Sequence, residues 1–143
     1  RLSNICAGIG RGQMEVIDQR VAERRANYEF YKNIFKNQEG VELFTEPSED
    51  YQSNHWLNAI IIHPEKIGNK DREFWRLAFA EENIETRPLW KPMHLQPLFA
   101  NKMYFGANIA ETLFNNGLCL PSGSNLTDDD KEKIYKVIKK LIG

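Results

Sequence analysis

The sequence predicts an α+β domain: a small, mostly antiparallel sheet with helices packed on it. Three observations carry this expectation. Two helical stretches fill the first quarter of the chain. Short apolar runs rich in β-branched residues then alternate with amphipathic segments, and the chain closes on a strongly patterned terminal helix.

Taken in order, Ser3 is placed to cap a helix in which Ile5, Ile9 and Val16 recur at helical spacing. Gly8, Gly10 and Gly12 each weaken that helix by about 1 kcal/mol relative to alanine, so close packing against another element or subunit is expected to compensate. A phosphate-cradling glycine loop is a poor match, since Gln13 stands where a third glycine would be needed and no strand precedes the run. A second helix is expected from Asp18 to Phe35, bent away from the first near Ile17, with Val21, Tyr28 and Phe35 at intervals of seven and Ile17, Arg24 and Tyr31 between them. Tyr28, Phe30, Tyr31 and Phe35 at this spacing read as core rather than as an aromatic ligand box. Asn37 to Gly40 ends the helix.

Val41 to Phe44 and Asn54 to His63 are the next strand candidates, separated by a polar loop carrying Pro47. The run W-L-N-A-I-I-I-H is nearly continuous, which predicts burial on both faces. His55 and His63 flank it without a third ligand, so a metal site is not expected there. Lys70 to Asn83 reads as an amphipathic helix with Phe74, Leu77, Ala78 and Glu81 on one face. A strand from Ile84 to Arg87 follows, then one helical turn within His94 to Phe99 and a short helix from Asn108 to Asn115. Asn116-Gly117 signals a turn before the buried strand Leu118 to Leu120, which Pro121 ends. In the last helix Thr127 caps, Asp128 to Asp130 oppose the positive end of the dipole, and Ile134, Val137, Ile138, Leu141 and Ile142 form one stripe.

With 143 residues the chain has the size of one compact domain or of a large piece of a longer protein. Nineteen basic and twenty acidic side chains leave a formal net charge of −1, so no global field favours nucleic acid or an acidic membrane. Recognition of an anion must therefore be local. Cys6 and Cys119 lack metal-site spacing and sit among small or apolar neighbours, as buried, reduced thiols of a cytoplasmic protein would, although two cysteines can also pair. No apolar run reaches membrane-spanning length and no signal peptide is visible, so a soluble protein is expected. The chain opens at Arg1 and runs at once into L-S-N-I-C-A-G-I-G, which reads as the interior of a fold cut from something longer.

The stretch Glu85 to Pro97, E-T-R-P-L-W-K-P-M-H-L-Q-P, keeps neither a helical nor a strand period. Pro88, Pro92 and Pro97 impose an extended, stiffened path. Two readings stand for it: a connector whose Trp90 and Met93 cover the core, or a surface that presents Arg87 and Lys91 to an anion.

This motif, together with R-L-S-N-I-C-A-G-I-G-R-G-Q-M-E, R-V-A-E-R-R-A-N-Y-E-F-Y and G-L-C-L-P-S-G-S-N-L-T-D, resembles the C-terminal part of the DegT/DnrJ/EryC1/StrS family of pyridoxal-phosphate-dependent aminotransferases acting on nucleotide-linked keto-sugars. The resemblance covers essentially the whole chain in order. It is greatest to the subgroup that aminates UDP-linked 4-keto-6-deoxy sugars for bacterial glycan and polysaccharide assembly.

What the resemblance implies is a small C-terminal domain of fold-type I, residues 38–143, preceded by a helical lead-in, residues 1–37, near the boundary of a homodimer. It implies a pyridoxal 5'-phosphate cofactor held mainly elsewhere, with the Schiff-base lysine upstream of this chain, so that no catalytic residue lies within it and the chain alone is inactive. Amino donor and acceptor would be glutamate and the nucleotide-sugar. Substrate-side residues would be Arg1, Arg87, Trp90, Lys91 and His94: cations for a diphosphate, an aromatic wall, and an imidazole near the sugar. Two other classes remain open, a non-catalytic regulatory or interaction domain and a free-standing sugar-nucleotide binding module. The first lacks the basic, aromatic-interleaved face expected of a nucleic-acid binder.

Overall fold

In the computed structural model, which describes residues 2–143, the Ser3 hydroxyl accepts a hydrogen bond from the Cys6 amide (3.2 Å) and starts helix α1, Asn4–Met14. None of the side chains of α1 is buried, so Ile5 and Ile9 are exposed and so is Cys6. The expectation of a buried Cys6 is thereby corrected: its helix packs on nothing among the described residues. A Cβ added at Gly8, Gly10 or Gly12 would meet nothing within 4 Å there.

The bend expected near Ile17 falls at Val16, whose φ of −118° and ψ of 8° leave the helical region before α2, Ile17–Phe35. Only the second half of α2 enters the core, through Tyr28, Tyr31 and Phe35, with Asn27 buried beside them. Ile17 is exposed and Arg24 turns away to donate to the Trp56 carbonyl (2.7 Å), so the apolar face expected along the whole helix is shorter. Gly40 reverses the chain at φ +84°, where a Cβ would also lie 2.7 Å from Ile67 Cγ2.

The described residues form a four-stranded antiparallel sheet from β1 (Val41–Leu43), β2 (Asn58–Ile62), β3 (Arg87–Pro88) and β4 (Gly117–Leu120), in the order β1-β2-β4-β3. Its class agrees with the sequence expectation. Strand β2 is shorter than Asn54 to His63 because His55 adopts a φ of +46°, which a strand does not tolerate. Its burial alternates: Asn58, Ile60 and Ile62 are buried, while Ala59 and Ile61 are half-buried. One face, carrying Val41, Leu43, Ile60, Ile62, Leu118 and Leu120, joins α2 and two further helices in the core. The other face holds a cross-strand row in which Arg87 pairs with Cys119 and Cys119 with Ala59. The row continues to Phe44, whose amide donates to the Ala59 carbonyl (2.9 Å).

Helix α3, Arg72–Glu81, is capped by Asp71, which accepts from the Phe74 amide (2.8 Å). It buries Trp75 and Phe79, one turn apart, and leaves Phe74 and Leu77 half exposed. The face expected from Phe74, Leu77 and Ala78 is therefore rotated, with Ala78 alone of the three packed against the core. Asn83, at φ +57°, ends the helical turn, and the Ile84 amide still donates to the Phe79 carbonyl (2.9 Å). This delays β3 to Arg87, against the expected start at Ile84. Being the edge strand, β3 tolerates Pro88.

Helix α4, Ile109–Asn116, passes straight into β4 without the turn expected at Asn116-Gly117. Helix α5, Asp128–Ile142, opens with a capping box between Thr127 and Asp130 and buries Ile134, Val137, Ile138 and Leu141, as its stripe predicts. Lys70 Nζ donates to the Leu141 carbonyl (2.7 Å) at its far end, where a cation is favoured. The segment after β4 is tied back to the core: Tyr31 donates to the Pro121 carbonyl (2.8 Å), Asn27 to that of Gly123 (2.8 Å), and the Asn58 amide to Ser122 Oγ (2.8 Å).

Candidate functional site

The loop after β3 begins with Arg87 on the open face of the sheet, exposed at its edge. Its Nε and Nη2 lie 2.8 and 2.6 Å from Glu85 Oε1, so its guanidinium is already paired locally. Such an exposed pair contributes little to stability. Pro92 is buried and anchors the loop, whereas Trp90 is 69% exposed and Met93 is exposed. The connector reading, in which Trp90 and Met93 cover the core, is thus corrected: neither does.

Lys91 is exposed and, among the described residues, pairs with no carboxylate. A 3-10 turn, Met93–Leu95, follows, starting one residue before the His94–Phe99 range expected for one helical turn, and a second, Pro97–Phe99, lies inside that range. Gln96 Nε2 donates to the Lys91 carbonyl (3.3 Å), which holds the Lys91 backbone against the first turn. Three positions after Lys91, His94 is only 16% exposed in its side chain. Its ring stacks on Tyr104, with centroids 4.0 Å apart and planes 27° from parallel. His94 Nε2 lies 3.6 Å from Glu111 Oε2, at the start of α4, and is shielded from solvent. Tyr104 is held in turn by its hydroxyl, which donates to the Ala107 carbonyl (2.8 Å).

Of the residues singled out in the sequence, the fold places His94 on the short turn Met93–Leu95 and Lys91 two residues before it, with Trp90 exposed next to Lys91. Arg87 sits apart on the strand with Glu85. Arg1 lies outside the described residues. Around this group stand Leu98, Met103, Phe105 and Ile109, all exposed, Phe105 by 83%. Tyr104 and Glu111 escaped the sequence reading because their contact with His94 is tertiary. No spacing rule links positions ten and seventeen residues downstream.

A second polar cluster was also missed. Glu46 Oε1 accepts from the Ser53 amide and from Arg25 Nη1 (3.2 Å), and lies 3.7 Å from His55 Nε2. The Ser53 amide bond and the Arg25 guanidinium hold the Glu46 carboxyl below its usual range. Burial pushes His55 below the ordinary imidazole value, although Glu46 acts the other way. These groups close the 45–57 loop over a groove of about 330 Å³ lined by Phe44, Pro47, Tyr51, Leu57 and Ala59. Among the described residues no group of three or more His, Cys, Asp or Glu could hold a metal ion, and no helix is long and apolar enough to cross a membrane.

The model of the DegT/DnrJ/EryC1/StrS aminotransferase family matches residues 1–139. EpsN of Bacillus subtilis (strain 168), named as a pyridoxal phosphate-dependent aminotransferase, is 40% identical over 99% of this chain and 36% of its own length. GDP-perosamine synthase of Escherichia coli O157:H7 is 33% identical, again over 99% of this chain and 36% of its own length. The chain thus spans little more than a third of the curated relatives it matches. Among solved structures, PseC of Helicobacter pylori, an aminotransferase involved in the biosynthesis of pseudoaminic acid, superposes with a TM-score of 0.84 at 21% identity, over 99% of this chain and 38% of that one. This likeness places the antiparallel sheet and its helices with the small-domain architecture of fold-type I aminotransferases. A match from Arg1 to Lys139 in the family's order, joined to that architecture, means that the chain belongs to the DegT/DnrJ/EryC1/StrS aminotransferase family.

Proposed function

We propose that this chain is the C-terminal part of a pyridoxal-phosphate-dependent aminotransferase that transfers an amino group from glutamate to a nucleotide-linked 4-keto-6-deoxy sugar, UDP-linked by preference. Residues 38–143 are its small domain and residues 1–37 the lead-in at the boundary of a homodimer. The observation that carries the reading is the family match that runs almost the full length of the chain, with Lys91 on the proline-stiffened approach to the turn that holds His94.

Each residue has a role that its surroundings support. Lys91 supplies an unpaired cation for the diphosphate, and Trp90 a flat wall that keeps water from one side of the sugar. His94 is held edge and face by Glu111 and Tyr104 and orients the sugar. Arg87 is released to the substrate only by leaving Glu85, which makes it the weaker contact of the two loop cations. Arg1 would add a second guanidinium from the lead-in.

Pyridoxal phosphate supplies the electron sink of transamination when bound. None of the lysines of this chain sits in the motif that the family resemblance leads one to expect around a Schiff-base lysine. The Schiff-base lysine is accordingly assigned upstream. The sequence just before Arg1 is expected to contain a serine-bearing loop with that lysine, followed by Gly-Tyr-Asn-Tyr or a close variant.

The decisive experiment is to incubate the chain with pyridoxal phosphate and glutamate and follow the cofactor's absorbance, in parallel with the same chain joined to its upstream sequence. Conversion to the pyridoxamine form is expected for the joined protein alone. Conversion by the 143-residue chain would overturn the assignment. A GDP-linked sugar is the second reading for the nucleotide, favoured by the name of the Escherichia coli relative, and the joined protein should be offered both.

A further inference from the structure

We propose that Glu111 is a positioning residue for His94, fixing the proton of the neutral ring on Nε2 and leaving Nδ1 as a hydrogen-bond acceptor, so that His94 reads a hydroxyl or amine of the ligand rather than a phosphate oxygen. The ligand half of this inference rests on the nucleotide-sugar reading. The tautomer half does not.

The geometry is specific. Nε2 is shielded from solvent, has no hydrogen-bond partner among the described residues, and faces Glu111 Oε2 at 3.6 Å. That distance is longer than a hydrogen bond, but it fixes the sign of the interaction. A bare Nε2 would set its lone pair against a carboxylate, whereas an Nε2–H points a positive hydrogen at it. A neutral imidazole carries one N–H, so placing it on Nε2 leaves Nδ1 without one. Carboxylates select the tautomer of histidines in this way where the other nitrogen has work to do. Catalytic-site bonds that are long without ligand shorten when the site closes.

The plane of the ring is held by its neighbours. Tyr104 covers one face at 4.0 Å, and its hydroxyl is tied to the Ala107 carbonyl (2.8 Å), just before α4. Gly106, at φ +149°, lets the backbone fold back here, and a Cβ at that position would lie 3.1 Å from Tyr104 Oη. Glu111 itself stands in the first turn of α4. Since Nε2 is shielded, the 16% of the side chain that reaches solvent belongs to the rest of the ring, from which Nδ1 can meet a ligand. The division of labour follows: Lys91, a donor, suits phosphate oxygens, and His94, an acceptor, suits the polar hydrogens of a sugar.

The test is long-range proton–nitrogen NMR of the chain with labelled histidine at pH 8, which reads the two ring nitrogens separately. The Nε2–H form is expected to exceed the Nδ1–H form at least tenfold for His94. In Glu111→Leu the ratio should fall several-fold, and Glu111→Gln, checked for unchanged circular dichroism, serves if the leucine variant does not fold. A wild-type ring mainly protonated at Nδ1, or a ratio that neither folded variant moves, would overturn the proposal. UDP and UDP-glucose are then added. A shift of Nδ1 with UDP-glucose but not with UDP supports the acceptor role, and an equal shift with both overturns it. If neither probe perturbs His94 or Lys91, the ligand half falls together with the nucleotide-sugar reading, and the tautomer result stands alone.

Discussion

The ring of His55 lies flat on that of Tyr28, with centroids 3.8 Å apart and planes 10° from parallel. This stack fastens the 45–57 loop to the buried half of α2, next to the Arg25–Glu46–Ser53 contacts.

Acid is expected to loosen that fastening. His55 is held below the ordinary imidazole value of 6.5 by burial, so the unfolded ring takes up a proton before the folded one does. Its contribution is complete above pH 6.5 and is lost as pH falls through the folded-state value. Glu46, held below 4.5 chiefly by the Ser53 amide, adds a second loss as pH drops below that point. Calorimetry should show Tm falling between pH 7 and 5. His55→Asn, which tolerates the left-handed backbone there, should lower Tm at pH 7.5 through loss of a stack worth about 0.5–1.5 kcal/mol and flatten the decline.

The two aromatic faces of α3 should behave very differently. Phe79→Ala empties a site with no exposure and is expected to destabilise by about 3–5 kcal/mol. Phe74→Ala, five residues before it on another face and half exposed, should stay within about 0.5 kcal/mol. Urea denaturation of both variants measures the contrast, and equal losses would contradict the rotated face.

Gly117 is the tightest point beside the candidate site. A Cβ there would lie 2.2 Å from Leu89 Cδ1 and 2.4 Å from the Leu113 carbonyl oxygen. Leu89 can move, but the backbone oxygen cannot follow cheaply. Gly117→Ala is expected to lower stability by about 1–3 kcal/mol and to displace Leu89, changing the fluorescence of the neighbouring Trp90.

If the proposed function is right, Lys91→Ala in the protein joined to its upstream sequence raises KM for the nucleotide-sugar by about tenfold or more, the loss of one hydrogen bond to a charged group. Arg87→Ala should do less, because Glu85 already occupies that guanidinium. Steady-state kinetics with glutamate held at saturation distinguishes them, and a larger effect at Arg87 would reverse the assignment.

Some of this was legible from residue order alone. Helix α5 declares itself because cap, dipole charges and apolar stripe all agree, and its four buried residues are those of the stripe. The sheet class could be read because its strands are short, largely apolar runs bounded by turn formers, with β2 carrying three consecutive isoleucines. The face of α3 could not, since Phe74 and Trp75 are adjacent aromatics and only the position of the sheet decides between them. Asn54 to Leu57 look like strand in composition, but His55 leaves the extended region to reach Tyr28 and so ends the ladder. At the candidate site Lys91 and His94 were accessible through the proline-bound motif. Glu111 and Tyr104 were not, being ordinary residues whose importance comes from three-dimensional neighbours.

The cross-strand row of Arg87, Cys119 and Ala59 also bears on folding fidelity. Strand β3 has two residues, too few for backbone hydrogen bonds alone to prevent it from sliding along β4. A slide by one position would turn Arg87 towards the core face of the sheet, where Leu118 and Leu120 lie and a lone guanidinium would be stripped of water. The exposed cation of the edge strand therefore penalises the misaligned pairing, and any change that neutralises it is expected to permit a population of mis-registered edge strands.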